Sequence, residues 1–175
     1  SGSAATAVGN GTEALGNGSF AGGQNTRSTG LNSFAYGENA AANNINSVAF
    51  GKTNNNLGIN SSILAGRNNK ITNSFNSAVL SGNNNTINYT GTSADDWPSN
   101  YNGVANNILG GHTNSITGSV LLNINTIVGG QNNVINETRY SVIGGGVGNK
   151  IKPAVAPYDQ PYYSSNIIAG GEGNE

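Results

Sequence analysis

The sequence predicts an all-β protein, a parallel β-solenoid of about ten short coils. Three observations predict this fold. Glycines recur at regular intervals, short segments rich in β-branched and aromatic residues precede them, and an asparagine follows many of them at a fixed distance. A helical protein is excluded because Gly costs about 1 kcal/mol per helical position and Asn prefers caps and turns. Strict periodicity argues against a disordered polar tract of the same composition.

The first part of the chain repeats every 14 residues. Similar segments at 19–23, 33–37 and 47–51 each begin with Ser and end with Gly, with Ala at the third position of each. Such segments favour short strands, and the glycine allows a backbone angle at which the chain turns. Seven glycines share one register of seven, with Asn44 at the remaining position of that register: Gly9, Gly16, Gly23, Gly30, Gly37, Gly51 and Gly58.

A second form of the repeat begins near residue 62. Ile or Val lies three residues before a glycine, Asn three residues after it and Ile five after it, as in Ile127, Gly130, Asn133 and Ile135. Asn stacked on Asn in successive coils is predicted to form an amide ladder. The chain ends in the middle of a repeat, so we expect it to be a piece of a longer protein. The predicted turn glycines are Gly23, Gly37, Gly51, Gly66, Gly82, Gly111, Gly130, Gly146 and Gly171.

The first strands alternate small and large residues. The position two before glycine is Ala21, Ala35 or Ala49, whereas larger residues such as Phe34 and Tyr36 occupy the other side of the pleat. A coil of two strands has a thin interior and covers only one face of each strand. The remaining apolar face needs a neighbour, so we expect an obligate symmetric oligomer.

These repeats resemble two families of fibrous proteins. The 14-residue units are similar to the head repeats of trimeric autotransporter adhesins, and residues 127–135 show the clearest likeness to repeats of phage-type tail fibres. Together the two forms cover most of residues 5–175. The resemblance implies a left-handed parallel β-roll, a homotrimer, and an extracellular location on a bacterial surface or a virion tail fibre.

Two insertions, at residues 88–106 and 152–166, interrupt the single repeat domain. They hold all four prolines, the only Trp and most of the Tyr residues. Loops on a rigid scaffold commonly carry function, and rings beside carboxylates and amides suit a sugar. Alternatively, the rings pack within their own loop or against a neighbouring chain, and Asp95 with Asp96 could hold Ca²⁺. The candidate receptor-binding residues are Tyr89, Asp95, Asp96, Trp97, Tyr101, Tyr158, Asp159, Tyr162 and Tyr163.

Composition excludes other classes of function. With Lys+Arg 7 and a net charge of −1, the chain lacks a basic surface for nucleic acid. No apolar run is long enough for membrane insertion, and the absence of Cys removes thiolate chemistry. We expect no cofactor, no metal site and no enzymatic activity.

The predicted function is therefore an attachment fibre or adhesin head that binds a glycan or protein receptor on a host or prey cell. A purely structural fibre shaft is the alternative. A tail spike that cleaves polysaccharide with Asp95, Asp96 or Asp159 is a minor alternative. Such an enzyme needs two carboxylates at set distances on either side of the glycosidic bond, and adjacent residues rarely reach that arrangement.

Overall fold

A computed structural model describes residues 2–89, 105–118, 124–152 and 165–175. All regular structure in these residues is β, and the strands alternate between two parallel sheets. The first sheet contains β1 (Thr6–Asn10), β3 (Phe20–Gln24), β5 (Phe34–Glu38), β7 (Val48–Lys52), β9 (Ser62–Ile63), β11 (Ala78–Val79), β13 (Asn107–Ile108), β15 (Thr126–Ile127), β17 (Val142–Ile143) and β19 (Ile167–Ile168). The second contains β2 (Glu13–Ala14), β4 (Arg27–Ser28), β6 (Ala41–Ala42), β8 (Asn55–Ile59), β10 (Lys70–Phe75), β12 (Thr86–Tyr89), β14 (Ser115–Gly118), β16 (Val134–Asn136) and β18 (Lys150–Ile151).

In the described residues, each of the first nine coils contributes one strand to each sheet and the last contributes β19 alone. Every strand except those at the two ends pairs with its equivalents in the coils before and after it. The pairing is in register, with Ala21 opposite Ala35 and Ala35 opposite Ala49. The predicted all-β parallel solenoid is confirmed. Its left hand and its trimeric state stay predictions.

The interior changes character along the rod. In the first coils it is built from small residues, and Ala21, Ala35 and Ala49 have no exposed surface. From β9 onward the same inward positions hold larger side chains, beginning with Ile63, which pairs with Ala49. A fully buried Ile contributes about 1.5–3 kcal/mol to stability, more than a buried Ala can. The hydrophobic core of these later coils contains Ile63, Ile71, Val79, Ile87, Ile108, Ile116, Ile127, Ile135, Ile143 and Ile151.

The nine predicted turn glycines form one column, and all have positive φ. Gly130 illustrates why no other residue fits. Its φ is +86°, and an added Cβ would lie 2.1 Å from the carbonyl oxygen of Gly146 in the next coil. The glycines therefore permit both the turn and the close stacking of successive turns.

The predicted asparagine ladder lies next to this column. Asn133 donates from Nδ2 to the carbonyl oxygens of Gly129 (3.0 Å) and Gly146 (2.9 Å). Its Oδ1 accepts the backbone N–H of Asn149 at 3.0 Å, and its own N–H donates to Oδ1 of Asn114 at 3.0 Å. The ladder satisfies buried polar groups from coil to coil. It contains Asn54, Asn69, Asn85, Asn114, Asn133, Asn149 and Asn174.

Among the residues that the structure describes, none belongs to a helix long and apolar enough to span a membrane.

Candidate functional site

One outward column of the first sheet is apolar from Val8 to Val128, whereas the outward column beside it changes from Phe20, Phe34 and Val48 to Ser62, Asn107 and Thr126 in later coils. Strand register places Val8, Gly22, Tyr36 and Phe50 in one outward column. Later coils continue this column with aliphatic residues. Its side chains are exposed to solvent in the single chain, with exposed fractions of 58% for Val8, 55% for Tyr36 and 46% for Leu64. We call this surface the face strip. It contains Val8, Phe20, Phe34, Tyr36, Phe50, Leu64, Leu80, Leu109 and Val128.

Aromatic rings pack against one another in the first part of the face strip. Phe20 stacks on Phe34 with ring centroids 4.4 Å apart, and Phe50 meets Phe34 edge-on at 5.2 Å. Gly22 makes room for these rings, because a Cβ there would lie 2.7 Å from Cδ2 of Tyr36 and 2.8 Å from Cε1 of Phe20. The outward rings thus form a continuous, preformed surface.

Charged groups lie on other sides of the rod. Arg27 and Glu13 form an ion pair of 3.2 Å on the outer face of the second sheet. Lys52 and Glu38 pair at 2.9 Å beyond the turn glycines. In the described coils of the first sheet, no charged residue occupies an outward position before the turn glycine. The rod therefore has an apolar side and a charged, polar side.

A third ion pair joins the last described coils. Lys152 contacts Glu175, and the hydrogen bond from Lys152 holds the pKa of that carboxyl below its ordinary value. Both side chains are well exposed, so solvent screening limits what this pair contributes to stability.

Both insertions leave the rod at one edge, where the chain returns from the second sheet to the first. One follows β12 and precedes β13, and the other follows β18 and precedes β19. β14 and β16 lie between β12 and β18 in the second sheet, so the two departure points are about 14 Å apart along the rod. We call this edge the insertion edge.

The structure places one of the candidate receptor residues. Tyr89 ends β12, pairs with Gly118 of β14 and is 9% exposed, so its ring has little surface left for a receptor in the single chain. The other candidates lie outside the described residues: Asp95, Asp96, Trp97, Tyr101, Tyr158, Asp159, Tyr162 and Tyr163.

The structure also reveals a second apolar surface that the sequence analysis missed. Leu31, Ile45 and Ile59 stack in successive coils at the insertion edge, each just before an Asn with positive φ that donates its N–H to the coil before. Leu31 is 46% exposed, and the other two are half-buried. Their 14-residue spacing was the signal that could have revealed them. We call these three residues the edge strip.

Catalytic and metal-binding groups are sparse in the described part of the chain. It contains no cluster of three His, Cys, Asp or Glu residues that could hold a metal ion. His112 is exposed in the column after the turn glycines, with Nδ1 3.1 Å from Oγ1 of Thr113. All three Asp residues fall outside the described ranges.

Comparisons of the chain with protein-family models, curated proteins and solved structures found no match. The likeness to fibre repeats therefore rests on the repeat pattern.

Proposed function

We propose that this chain forms the head or shaft of a trimeric, non-enzymatic attachment fibre outside the cell, on a bacterial surface or a virion. The observation that carries the proposal is the face strip, which runs along one side of the rod while the charges lie elsewhere. A continuous apolar surface on a rigid rod marks an interaction site. Sister copies are suitable partners because their coils have the same repeat.

The insertion edge suits receptor binding. The stacked coils anchor both insertions on the same edge of the rod, at departure points about 14 Å apart. Proline limits the conformational freedom of each insertion, which lowers the entropy lost on binding. Three linked copies of a weak site gain avidity without any new contact. A glycan is the favoured ligand, since its apolar C–H patches stack on rings and its hydroxyls bond Asp and Asn.

Substitution of Trp97 by alanine is expected to reduce binding to a glycan array, or to the target cell surface, at least tenfold. Removal of a central aromatic contact commonly costs 2 kcal/mol or more, about 30-fold per site. Circular dichroism, the melting temperature and the solution mass should remain those of the wild type, because Trp97 belongs to the insertion between β12 and β13 and not to a repeat.

Replacement of residues 90–104 and 153–164 by short Gly-Ser linkers should abolish attachment while the rod stays folded. If the wild-type chain binds a surface and the double replacement binds equally well, the insertions are not the receptor site. The structural-shaft alternative predicts that result.

A further inference from the structure

We propose that Tyr140 is a further receptor-contact residue, whose ring stacks on a sugar bound at the insertion edge. The inference rests on the proposed receptor-binding function and adds a residue to that site. The candidate contacts that the sequence predicts all belong to the two insertions, whereas Tyr140 belongs to a repeat coil that the structure describes.

Strand register places Tyr140 between the two insertions. β13, β15, β17 and β19 pair in that order, and the residues two positions before the paired ones follow one another along the insertion edge: Ala105, Ile124, Tyr140 and Ser165. The first insertion rejoins the rod at the Ala105 end of this column, and the second rejoins it at the Ser165 end. Tyr140 is thus one rung, about 5 Å, from the second return point and two rungs, about 10 Å, from the first.

The backbone of Tyr140 is unusual for its residue type. Its φ is 54°, in the left-handed region. The equivalent residues of earlier coils are Asn32, Asn46, Asn60 and Asn76, with φ between 47° and 52°. Asn tolerates this region, whereas a bulky side chain there is an outlier that costs energy. Outliers of this kind cluster at binding and active sites.

A matched turn elsewhere in the rod shows that its geometry does not need a tyrosine. Segments 70–78 and 134–142 have the same length, and register aligns both of their ends through the intervening coils. Each has two residues with positive φ at the same positions, Asn73 and Asn76 in one and Glu137 and Tyr140 in the other. Asn at both positions is therefore enough to form the turn.

Burial does not account for Tyr140 either. Tyr140 is 41% exposed, whereas Tyr89 at the end of β12 is 9% exposed. Ile124, one rung away in the same column, is 43% exposed, so an aromatic and an aliphatic residue meet water on successive rungs of the insertion edge. Apolar stabilisation scales with the area removed from water, so a ligand that covers these two residues gains from both.

A sugar fits this surface and its surroundings. The ring of Tyr140 offers an apolar face to the C–H side of a sugar, and its hydroxyl offers a polar tip to the sugar hydroxyls. Ligand sites commonly combine an apolar surface with a few polar groups in this way. The adjoining insertions contain Trp, Tyr, Asp and Asn, which supply the same chemistry. A glycan that spans the two return points passes over Tyr140.

The substitution Tyr140→Asn tests the inference, because it installs the residue that the equivalent turns contain. Wild type and variant are compared as full chains on an array of neutral and acidic oligosaccharides. Binding to the glycans that wild type retains is expected to fall at least tenfold, as on removal of a central aromatic contact. The melting temperature is expected to rise by about 2–4 °C, because Asn relieves the backbone strain.

Two further variants separate contact from stability. Tyr140→Phe keeps the ring and should recover most of the binding that Tyr140→Asn loses. Asn32→Ala changes an equivalent position six rungs away, roughly 28 Å along the rod. Because Ala suits a φ of 52° less well than Asn, this control should melt at a lower temperature while its glycan binding stays that of the wild type.

Equal glycan binding by wild type and Tyr140→Asn would overturn the inference and leave the proposed function intact. A melting temperature of Tyr140→Asn below that of the wild type would also overturn it, because the ring would then stabilise the edge of the rod. Binding by Tyr140→Phe as weak as that of Tyr140→Asn would exclude stacking on the ring. A wild-type chain that binds no glycan on the array would overturn the glycan ligand and this inference together.

Discussion

Replacement of Gly130 by alanine is expected to lower the free energy of unfolding by at least 3 kcal/mol. The residue has a φ of +86°, where a side chain costs about 1–2 kcal/mol. Its Cβ would also lie 2.1 Å from the carbonyl oxygen of Gly146 and 2.7 Å from Nδ2 of Asn133. Backbone of the next coil must move to relieve this overlap, which disturbs both the turn column and the asparagine ladder.

Gly129 provides the matched control for this substitution. A Cβ at Gly129 meets no atom within 4 Å, so Gly129→Ala should change stability by less than about 0.5 kcal/mol. Urea or thermal unfolding monitored by circular dichroism measures both variants. Equal stability of the two variants would show that successive turns do not stack closely at Gly130.

The substitution Asn133→Asp is expected to destabilise the rod by about 3 kcal/mol or more at neutral pH. Asn133 is fully buried and donates from Nδ2 to two carbonyl oxygens. An ionised carboxylate cannot donate, and it would face both carbonyls without water. Loss of each buried hydrogen-bond partner costs about 1–3 kcal/mol, and a buried charge costs more.

The loss at Asn133→Asp should depend on pH. Burial and the facing carbonyls raise the pKa of the introduced carboxyl above its unfolded value of about 3.9. Both states are neutral at lower pH, so the penalty is smallest there. It grows as pH rises from the unfolded pKa to the folded one. Asn132→Asp is the control: Asn132 is exposed with a φ of 56°, which Asp tolerates, so its stability should change little at any pH. If Asn133→Asp lowered the free energy of unfolding by the same amount at every pH, that result would contradict a buried amide ladder.

Much of the fold could be predicted because few folds are compatible with this repeat. The frame of Ile127, Gly130 and Asn133 specifies an inward side chain, a turn and a ladder residue, and the structure has all three. The alternation of Ala35 with Phe34 predicted that the two sides of the pleat differ, but not which side faces inward; the structure buries Ala35 and exposes Phe34. Period and residue size carry this information locally.

The features that the sequence did not predict depend on contacts between neighbouring coils. Burial of Tyr89 follows from the pairing of β12 with β14 across an insertion, which no local pattern shows. The edge strip was missed because Leu31 and Ile45 lie outside the strands, among turn residues. Most of the predicted receptor contacts, from Asp95 to Tyr163, lie outside the described residues and stay predictions.

Light scattering coupled to size-exclusion chromatography of the unmodified chain tests most directly whether sister copies cover the apolar side of the rod. The expected mass is three times the 17.7 kDa of one chain, unchanged on dilution into the low micromolar range. A stable, soluble monomer at those concentrations would contradict it, because the face strip from Val8 to Val128 would then lie exposed to water.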